Sequence, residues 1–447
     1  MRVLLLAVLL AAAGCDGQLN PDWCATHQSD QDCINAGLGQ IDAPPSCTQV
    51  PCNPESPETI CDTNRGGGIC VQCIPGNGDN PADCKYCGTD DRCHECLTND
   101  DCGLGALCLP DTLTCVGGSA GSGSGGSADT LLYAAPTAMG TGDCTSATTA
   151  CTLTTALGKV DAMHKVIELA AGSYSGPTIM IGKTVILIGP QPGPGHQYQD
   201  PSDPTGRAVI TGGSPVLEVT AGTVGLYHVT VAGSPNDAGI KCTNATLQIY
   251  HSIVRDNVQE GLDASQCALT IERSVFTNNA TTGTTYEGMY IDSCSPISIR
   301  NNFIYANGNT TSTKGAVHFH GNSAGEFRFN TVAYNHAGPK PTGRGQPTPV
   351  GGVLCESSMV VSKDDIVAMN DTLNFGVTTN CQVINTFRDA DPHLKSPTDP
   401  HATATTPKPA IVDNANSDCS KAGGYDVDFD PRPMGPACDL GADEYAP

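Results

Sequence analysis

Five side chains that could perform acid–base chemistry fall at matching places in a repeated pattern of the chain. Each copy of the pattern opens with Gly and an apolar residue. Aligning the copies on that opening puts the five side chains on one outer face, because alternate residues of a strand point to the same side. They are Asp263, Tyr290, Asp292, His318 and His320. The same face also receives Lys241, Thr243, Ser265 and Glu356.

These five residues form our candidate catalytic set. Asp292 would act as the acid or as a metal ligand, and His318 or His320 would act as the base. Asp263 and Tyr290 would assist them. The alternative is a solvated face without chemistry, since any exposed strand face of a repeat protein carries mixed polar residues. A second line, Arg273, Arg300 and Arg328, could hold acidic sugars or pair with nearby carboxylates.

The repeat that positions these side chains predicts a solenoid. Its copies open at Gly239, Gly261, Gly288, Gly315 and Gly352. They close, roughly 22 to 35 residues apart, at Asn257, Asn279, Asn307, Asn335 and Asn370. A unit of this length cannot bury its own apolar side and must stack on its neighbours. Asparagines stacked at one turn could bond to one another along the axis and satisfy buried amides.

The segment before the repeats carries a resemblance. A short strand, Leu131-Leu132-Tyr133-Ala134-Ala135, precedes a helical spacing of apolar residues from Leu153 to Met163, and the strand Thr184-Val185-Ile186-Leu187-Ile188-Gly189 follows. This order resembles the opening of the pectate-lyase-like right-handed parallel β-helix family, in which a short helix caps the solenoid. The resemblance implies an all-β fold. It also implies that an active member would cleave acidic polysaccharide, with a cation such as calcium neutralising the uronate.

The C-terminal segment carries a second resemblance. Asp426-Val427-Asp428-Phe429-Asp430-Pro431-Arg432-Pro433 and Asp439-Leu440-Gly441-Ala442-Asp443-Glu444-Tyr445 are similar to the end of the choice-of-anchor Q group of bacterial surface β-helix proteins. Phe429 stands where that group has Gly. Asp426, Asp428 and Asp430 leave calcium open as a ligand. A polar capping turn with Arg432 as counter-ion is favoured, because no bidentate Glu completes a calcium loop. We therefore expect no cofactor and assign no metal ligand.

The N-terminus predicts export and lipid attachment. Arg2 precedes an apolar run, Val3 to Ala13, which is too short to remain as a membrane span. The run ends in Ala12-Ala13-Gly14-Cys15, which resembles a bacterial lipobox with Ala where Leu is commoner. The resemblance implies that Cys15 is acylated and that the protein is a membrane-anchored bacterial lipoprotein of the outer membrane or cell surface. An ordinary secretory signal is the alternative.

The cysteines predict a bridged stalk. Cys24 to Cys115 contains 14 cysteines, an even count that in an exported segment indicates disulfides. Zinc at Cys84, Cys87, Cys93 and Cys96 is the less favoured alternative, because the loop between the pairs is short for a zinc ribbon. Further on, the expected bridges are Cys144 with Cys151, Cys355 with Cys381, Cys419 with Cys438, and one pair among Cys242, Cys267 and Cys294.

These features divide the chain into five segments. We predict a signal peptide (1–14), a cysteine-rich stalk (15–116), a Gly/Ser linker (117–128), an all-β right-handed parallel β-helix (129–395) and a C-terminal choice-of-anchor Q-like cap (396–447). The net charge of −24 excludes nucleic acid as a partner.

The sequence favours a monomeric, lipid-anchored surface protein that acts as a structural or binding module. Its partners would be the membrane, through the lipid, and a glycan or other cell-envelope ligand. A tethered polysaccharide lyase or glycoside hydrolase is the alternative. The two hypotheses separate on one point. An enzyme should concentrate Asp292, His318, His320 and Tyr290 in one groove walled by the insertion at Gly338 to Gly352. A binding module should spread these groups along a flat polar strip.

Overall fold

The computed structural model describes most of the chain after residue 130. The described residues are 131–138, 142–190, 201, 203–283, 285–338, 348–377, 380–388, 391–403, 410–415, 426–428, 430, 432 and 437–445, together with six short strands before residue 118. The chain divides into two compact units, Met1–Glu95 and Cys96–Pro447. Among the described residues, no helix is both long enough and apolar enough to cross a membrane.

Short antiparallel hairpins are all that the structure describes of the cysteine-rich segment. β1 (Ile60–Asp62) pairs with β2 (Ile69–Val71), and β3 (Tyr86–Cys87) pairs with β4 (Cys93–His94). In the second unit, β5 (Ala106–Leu109) pairs with β6 (Thr114–Gly117). The predicted lipidation at Cys15, the predicted stalk disulfides and their zinc alternative lie outside the residues whose side chains are described.

Residues 132–384 form a right-handed parallel β-helix made of three long sheets. Sheet 1 has eight strands: β10 (Ile179–Ile181), β13 (Leu217–Val219), β16 (Ile240–Thr243), β19 (Leu262–Ser265), β22 (Met289–Asp292), β25 (Val317–His320), β28 (Val350–Cys355) and β31 (Leu373–Val377). Every neighbouring pair in sheet 1 is parallel, so each strand belongs to the next coil of the chain.

Sheets 2 and 3 complete each coil. Sheet 2 has ten strands: β7 (Leu132–Ala134), β8 (Val166–Leu169), β11 (Val185–Ile188), β14 (Thr223–Tyr227), β17 (Thr246–Tyr250), β20 (Ala268–Glu272), β23 (Ile297–Arg300), β26 (Ala324–Arg328), β29 (Met359–Lys363) and β32 (Gln382–Ile384). Sheet 3 has eight: β9 (Gly172–Ser175), β12 (Ala208–Thr211), β15 (Val229–Ala232), β18 (Ile253–Arg255), β21 (Val275–Thr277), β24 (Phe303–Tyr305), β27 (Thr331–Ala333) and β30 (Ile366–Ala368).

The two ends of the sequence repeat meet in space. Asn279 donates from Nδ2 to Oδ1 of Asn307 (3.0 Å), and Asn307 donates to Asn335 (3.0 Å). The ladder continues from Asn257 to Asn370. A methyl group at Gly261 would lie 2.8 Å from Nδ2 of Asn279, so the opening position excludes any side chain. The predicted asparagine stack is therefore present, and it explains why Gly opens the first three copies; at Gly315 and Gly352 a side chain would meet backbone carbonyls of the next coil.

The first coils are closed by a short helix. α1 (Leu153–Lys159) begins after Thr152, whose hydroxyl accepts a hydrogen bond from the amide of Thr155 (3.2 Å). The helix buries Leu153 and packs against β7 and β8. A single 3₁₀ turn, Ala147–Thr149, precedes it. Met163, which we grouped with this helix, lies beyond its end and is exposed.

The C-terminal segment lies along the outer face of sheet 3. β33 (Leu394–Ser396) and β34 (Asp399–Ala402) form an antiparallel hairpin. Farther along, Val427 and Ala442 pack with outward-facing side chains of sheet 3, among them Phe303. The amide of Ala442 also donates to the hydroxyl of Thr331 (3.0 Å). The segment thus buries an apolar stripe that a bare solenoid would expose to water.

The disulfides of the solenoid join neighbouring coils or close a loop. Cys144 is bonded to Cys151, Cys242 to Cys267, and Cys355 to Cys381. Cys294 is a buried free thiol in the described part of the chain. Cys438 is also disulfide-bonded, while Cys419, its expected partner, lies outside the described residues.

Candidate functional site

The outer face of sheet 1 brings the sequence-predicted residues into two adjacent columns. In the first column Lys241 stands beside Asp263, Asp263 beside Tyr290, and Tyr290 beside His318. In the second column Asp292 stands beside His320. The alignment on the Gly–apolar openings gives this register from β16 to β22 but is one residue out at Gly315, because Met289 pairs with Val317 and not with Ala316. We call Lys241, Asp263, Tyr290, Asp292, His318 and His320, together with Glu287 and Glu356, the acid–base face.

His320 is oriented by a carboxylate and remains accessible. Its Nδ1 lies 2.9 Å from Oδ1 of Asp292. An ionised carboxylate can only accept, so Nδ1 donates this hydrogen bond and Nε2 of a neutral ring keeps its lone pair. The side chain of His320 is 45% exposed, and no described residue engages Nε2. An accessible imidazole held by a carboxylate has the arrangement required of a general base.

Tyr290 lies against the same imidazole. Its hydroxyl oxygen is 3.3 Å from Nδ1 of His320. Burial, followed by the negative charges of Asp292 and Glu287, raises the pKa of Tyr290 to about 12. The hydroxyl therefore keeps its proton near neutral pH and is available as a proton donor.

His318 has a different environment although it is two residues away. Its side chain is only 2% exposed. Nδ1 lies 2.8 Å from Oε1 of Glu287, and Nε2 lies 2.9 Å from Oε2 of Glu356. Both ring nitrogens are thus occupied by carboxylates, which makes His318 a supporting residue and leaves His320 as the base of the pair.

Glu287 is a residue of the site that the sequence analysis did not identify. Its side chain is 2% exposed, and its Oε1 contacts His318 and lies 3.7 Å from Nζ of Lys314. Its Oε2 is buried and has no hydrogen-bond partner among the described residues. Its position in the repeat could have pointed to it, because Glu260 and Glu287 each stand immediately before the Gly that opens a copy.

Burial raises the pKa values of two carboxyl groups at the start of the face. Burial raises the pKa of Glu260 to about 8, with the charges of Glu287, Asp263 and Asp237 contributing in the same direction. Burial also raises the pKa of Asp263, although the ammonium of Lys241, 3.5 Å away, lowers it. This end of the face therefore carries less negative charge than its residue types suggest.

The predicted line of Arg273, Arg300 and Arg328 is not continuous. Arg300 and Arg328 occupy neighbouring positions in sheet 2. The residue beside Arg300 on the preceding strand is Glu272, so Arg273 lies one position away, in the corner after β20. Arg273 has a φ of +47°, a left-handed backbone conformation that turns the chain at this corner. Arg300 pairs with Glu272 at 2.5 Å, and Arg328 pairs with Glu326 at 2.6 Å.

The aspartates of the C-terminal segment do not all point to one place. Oδ1 of Asp426 accepts hydrogen bonds from the amides of Asp428 and Asp430 (both 2.8 Å), as a capping turn requires. Arg432 pairs with Glu444 (3.3 Å). Asp428 instead contacts His401 (2.8 Å), so the three aspartates do not act as one ligand set.

Comparison with known proteins extends to the fold alone. No protein-family model and no curated protein sequence matches the chain. The crystal structure of pectate lyase Pel9A shares 12% identity, covering 71% of this chain and 96% of its own, with a TM-score of 0.36. The pectin methylesterase from Aspergillus niger, in deglycosylated form, shares 13% identity, covering 69% of this chain and 98% of its own, with a TM-score of 0.23. Neither likeness identifies residues or a substrate for this chain.

Proposed function

We propose that the acid–base face binds a polysaccharide containing uronic acid and cleaves it by elimination. The observation that carries the proposal is the contact of three groups: an accessible His320, the Asp292 carboxylate that orients it, and the Tyr290 hydroxyl beside it. Contact between these groups is one part of our criterion for an enzyme; the insertion that should wall the groove lies largely outside the described residues. This contact favours the enzyme hypothesis over a module that only binds.

Elimination fits the face better than hydrolysis. Hydrolysis of a glycoside needs two carboxyl groups free to act on the sugar. Each carboxylate at the centre of this face already contacts a nitrogen: Asp263 with Lys241, Asp292 with His320, and Glu287 and Glu356 with His318. Elimination needs one base and one proton donor, which His320 and Tyr290 supply.

The proposed reaction balances with these two residues. Nε2 of His320 removes the proton at C5 of the uronate. The electron pair forms the C4–C5 double bond while the bond from C4 to the glycosidic oxygen breaks. Tyr290 donates its proton to the departing oxygen, and exchange with solvent restores both side chains.

The face does not provide a calcium site of its own. Calcium prefers several oxygen ligands around one point. The only group of three convergent ligands in the described part of the chain lies elsewhere, at His401, Asp428 and Asp443. We therefore assign no step to calcium. Lys241 and Lys314 bring positive charge to the face, where a uronate carboxylate would bind.

The lipid-anchored surface location is part of the same proposal. It is supported by the apolar N-terminal run and the Ala12-Ala13-Gly14-Cys15 motif. An anchor at Cys15 would keep an enzyme for large polymers at the cell, where released fragments can be taken up.

The test is release of unsaturated uronide from polygalacturonate and alginate by the purified protein, followed by ultraviolet absorbance. We expect His320→Gln and Tyr290→Phe each to lower kcat by at least about 100-fold, because each removes a proton-transfer group. The matched control is His336→Gln, since His336 is also 45% exposed and pairs with a single carboxylate, Asp371, at 2.7 Å outside the face. It should retain full activity.

Two results would overturn the proposal. If neither polymer yields unsaturated product while glycan binding is retained, the protein is a binding module and not an enzyme of this kind. Product formation that survives His320→Gln and Tyr290→Phe would place catalysis outside the acid–base face.

A further inference from the structure

A histidine and two aspartates converge in the C-terminal segment, away from the acid–base face. One ligand atom from each of His401, Asp428 and Asp443 lies within 4.8 Å of the other two. His401 comes from β34, and the two aspartates come from the last part of the chain. The three residues line a cleft of about 410 Å³ on the surface, so an ion would have a path to them.

The imidazole of His401 is already oriented as in a metal site. Its Nε2 lies 2.8 Å from Oδ2 of Asp428, and its Nδ1 is hydrogen-bonded to Asp399. A carboxylate that accepts from the remote ring nitrogen is the usual partner of a metal-binding histidine, because it fixes the tautomer and the ring direction. Asp399 would fill that supporting role. The ring itself is only 7% exposed and packs edge-on against Phe303 of sheet 3, with centroids 4.8 Å apart.

A second observation points to a missing ligand. Oδ1 of Asp428 is buried and has no hydrogen-bond partner among the described residues. A buried carboxylate oxygen without a partner loses its hydration and receives nothing in return. An ionised Asp443 offers no donor to it, since a carboxylate only accepts, and one of its oxygens already accepts from the amide of Ala402 (2.9 Å). A cation between the two carboxylates would satisfy the unpaired oxygen.

We infer that His401, Asp428 and Asp443 bind a divalent transition-metal cation of the zinc class. One imidazole nitrogen and two carboxylate oxygens suit Zn²⁺, whereas calcium prefers oxygen ligands alone. Ligands at about 2.1 Å from one tetrahedral ion lie about 3.4 Å apart, so the side chains need to close by only about an ångström. Binding displaces the proton of Nε2 into solvent. The bound ion joins β34 to the last part of the C-terminal segment.

The test is Zn²⁺ titration of the full exported chain after dialysis against a chelator, followed by calorimetry and thermal unfolding. We expect the wild type to bind one Zn²⁺ more per chain than Asp428→Asn or Asp443→Asn, and only the wild type to gain thermal stability from that ion. Asp399→Asn should keep the site but weaken it about 10- to 100-fold. His336→Gln, which alters a histidine with one carboxylate partner, should bind as the wild type does.

Cobalt substitution tests the site without relying on a variant that must fold. The proposal requires weak visible bands typical of nitrogen and oxygen ligation, separate from the intense bands of any thiolate ligation in the stalk. Equal Zn²⁺ binding by the wild type and Asp428→Asn, tighter binding of Ca²⁺ than of Zn²⁺, or a Co²⁺ spectrum without nitrogen and oxygen bands would each overturn it.

Discussion

Two histidines of the same strand differ in role because of what surrounds each imidazole. Nδ1 of His320 donates a hydrogen bond to Asp292, and Nε2 remains accessible. Both ring nitrogens of His318, in contrast, contact carboxylates, those of Glu287 and Glu356. Strand alternation gives both side chains the same outward direction. The corners between sheets, where Glu287 and Glu356 lie, decide which of them water can reach.

His318→Gln should therefore damage stability more than chemistry at the reacting atoms. Removing the imidazole takes a hydrogen-bond partner from the buried Glu287 carboxylate, and leaving a buried charged group unsatisfied costs about 3 kcal/mol. We expect denaturant unfolding to show a loss of this order for His318→Gln. For His320→Gln, whose side chain is half-exposed, the loss should stay within about 0.5 kcal/mol. Equal losses in the two variants would contradict the division of roles.

Glu260 should make the protein less stable as the pH rises. Burial raises its pKa in the folded chain to about 8, whereas the unfolded chain releases the proton near the ordinary glutamate pKa of 4.5. Between these values the folded state binds more protons, so the free energy of unfolding falls with increasing pH. Glu260→Gln removes the titrating group. It should stabilise the protein by a few kcal/mol at about pH 8.5, since one pKa unit corresponds to about 1.4 kcal/mol, and have little effect at about pH 4.

The measurement is denaturant unfolding of both proteins across that pH range. Glu326→Gln serves as the control, since its carboxylate is 56% exposed and little electrostatic energy is at stake there. If the difference in free energy of unfolding between Glu260→Gln and the wild type does not change with pH, Glu260 does not carry this proton.

The residues of the site could be predicted only in part from the sequence. The five candidates do lie on one face, although the alignment on Gly and the apolar residue is one residue out at Gly315, where His318 and not Val317 pairs with Tyr290. Glu287 could not be found in this way, because it precedes its strand and reaches a histidine 31 residues later. Arg273 was misplaced for a related reason, since a corner residue with positive φ interrupts the alternation.

At the scale of elements, the coil repeat depends on a polar ladder inside an apolar column. Nδ2 of Asn279, Asn307 and Asn335 donates both to the next asparagine and to backbone carbonyl groups. Nδ2 of Asn307, for example, also donates to the carbonyls of Phe276 (2.9 Å) and Tyr305 (3.0 Å). These groups are buried, so each is an obligatory partner and not a surface contact. The fold was predictable because this requirement recurs in every copy and leaves Gly and Asn at fixed places.

Asn307→Ala should lower the free energy of unfolding by about 2–4 kcal/mol. The substitution removes the donor for two buried carbonyls and for Asn335, and each unsatisfied group costs about 1–3 kcal/mol before relaxation. Urea unfolding of the purified protein measures the loss. Asn236→Ala, at an exposed corner, is the matched control and should change stability by no more than about 0.5 kcal/mol. Similar behaviour of the two variants would mean that water replaces the ladder.

At the scale of the whole molecule, the proposed chemistry and the proposed anchor lie in different compact units. The acid–base face belongs to the unit Cys96–Pro447, and Cys15 belongs to Met1–Glu95. The face is assembled within the solenoid from sheet 1 strands between β16 and β28 and the residues that flank them. Removal of the anchor should therefore change where the protein is found without changing how fast a purified sample works.

Cys15→Ser tests this separation. If Cys15 carries lipid, two or three acyl chains hold the wild type on a membrane, because each buried CH₂ contributes about 0.8 kcal/mol and a single chain binds only marginally. Wild-type protein should enter the detergent phase on Triton X-114 partition of whole cells, and Cys15→Ser should remain in the aqueous phase. Cys294→Ser is the control, because it removes a buried free thiol of the solenoid and leaves the N-terminus intact. A Cys15→Ser variant that still enters the detergent phase would show that attachment, if any, uses another part of the chain.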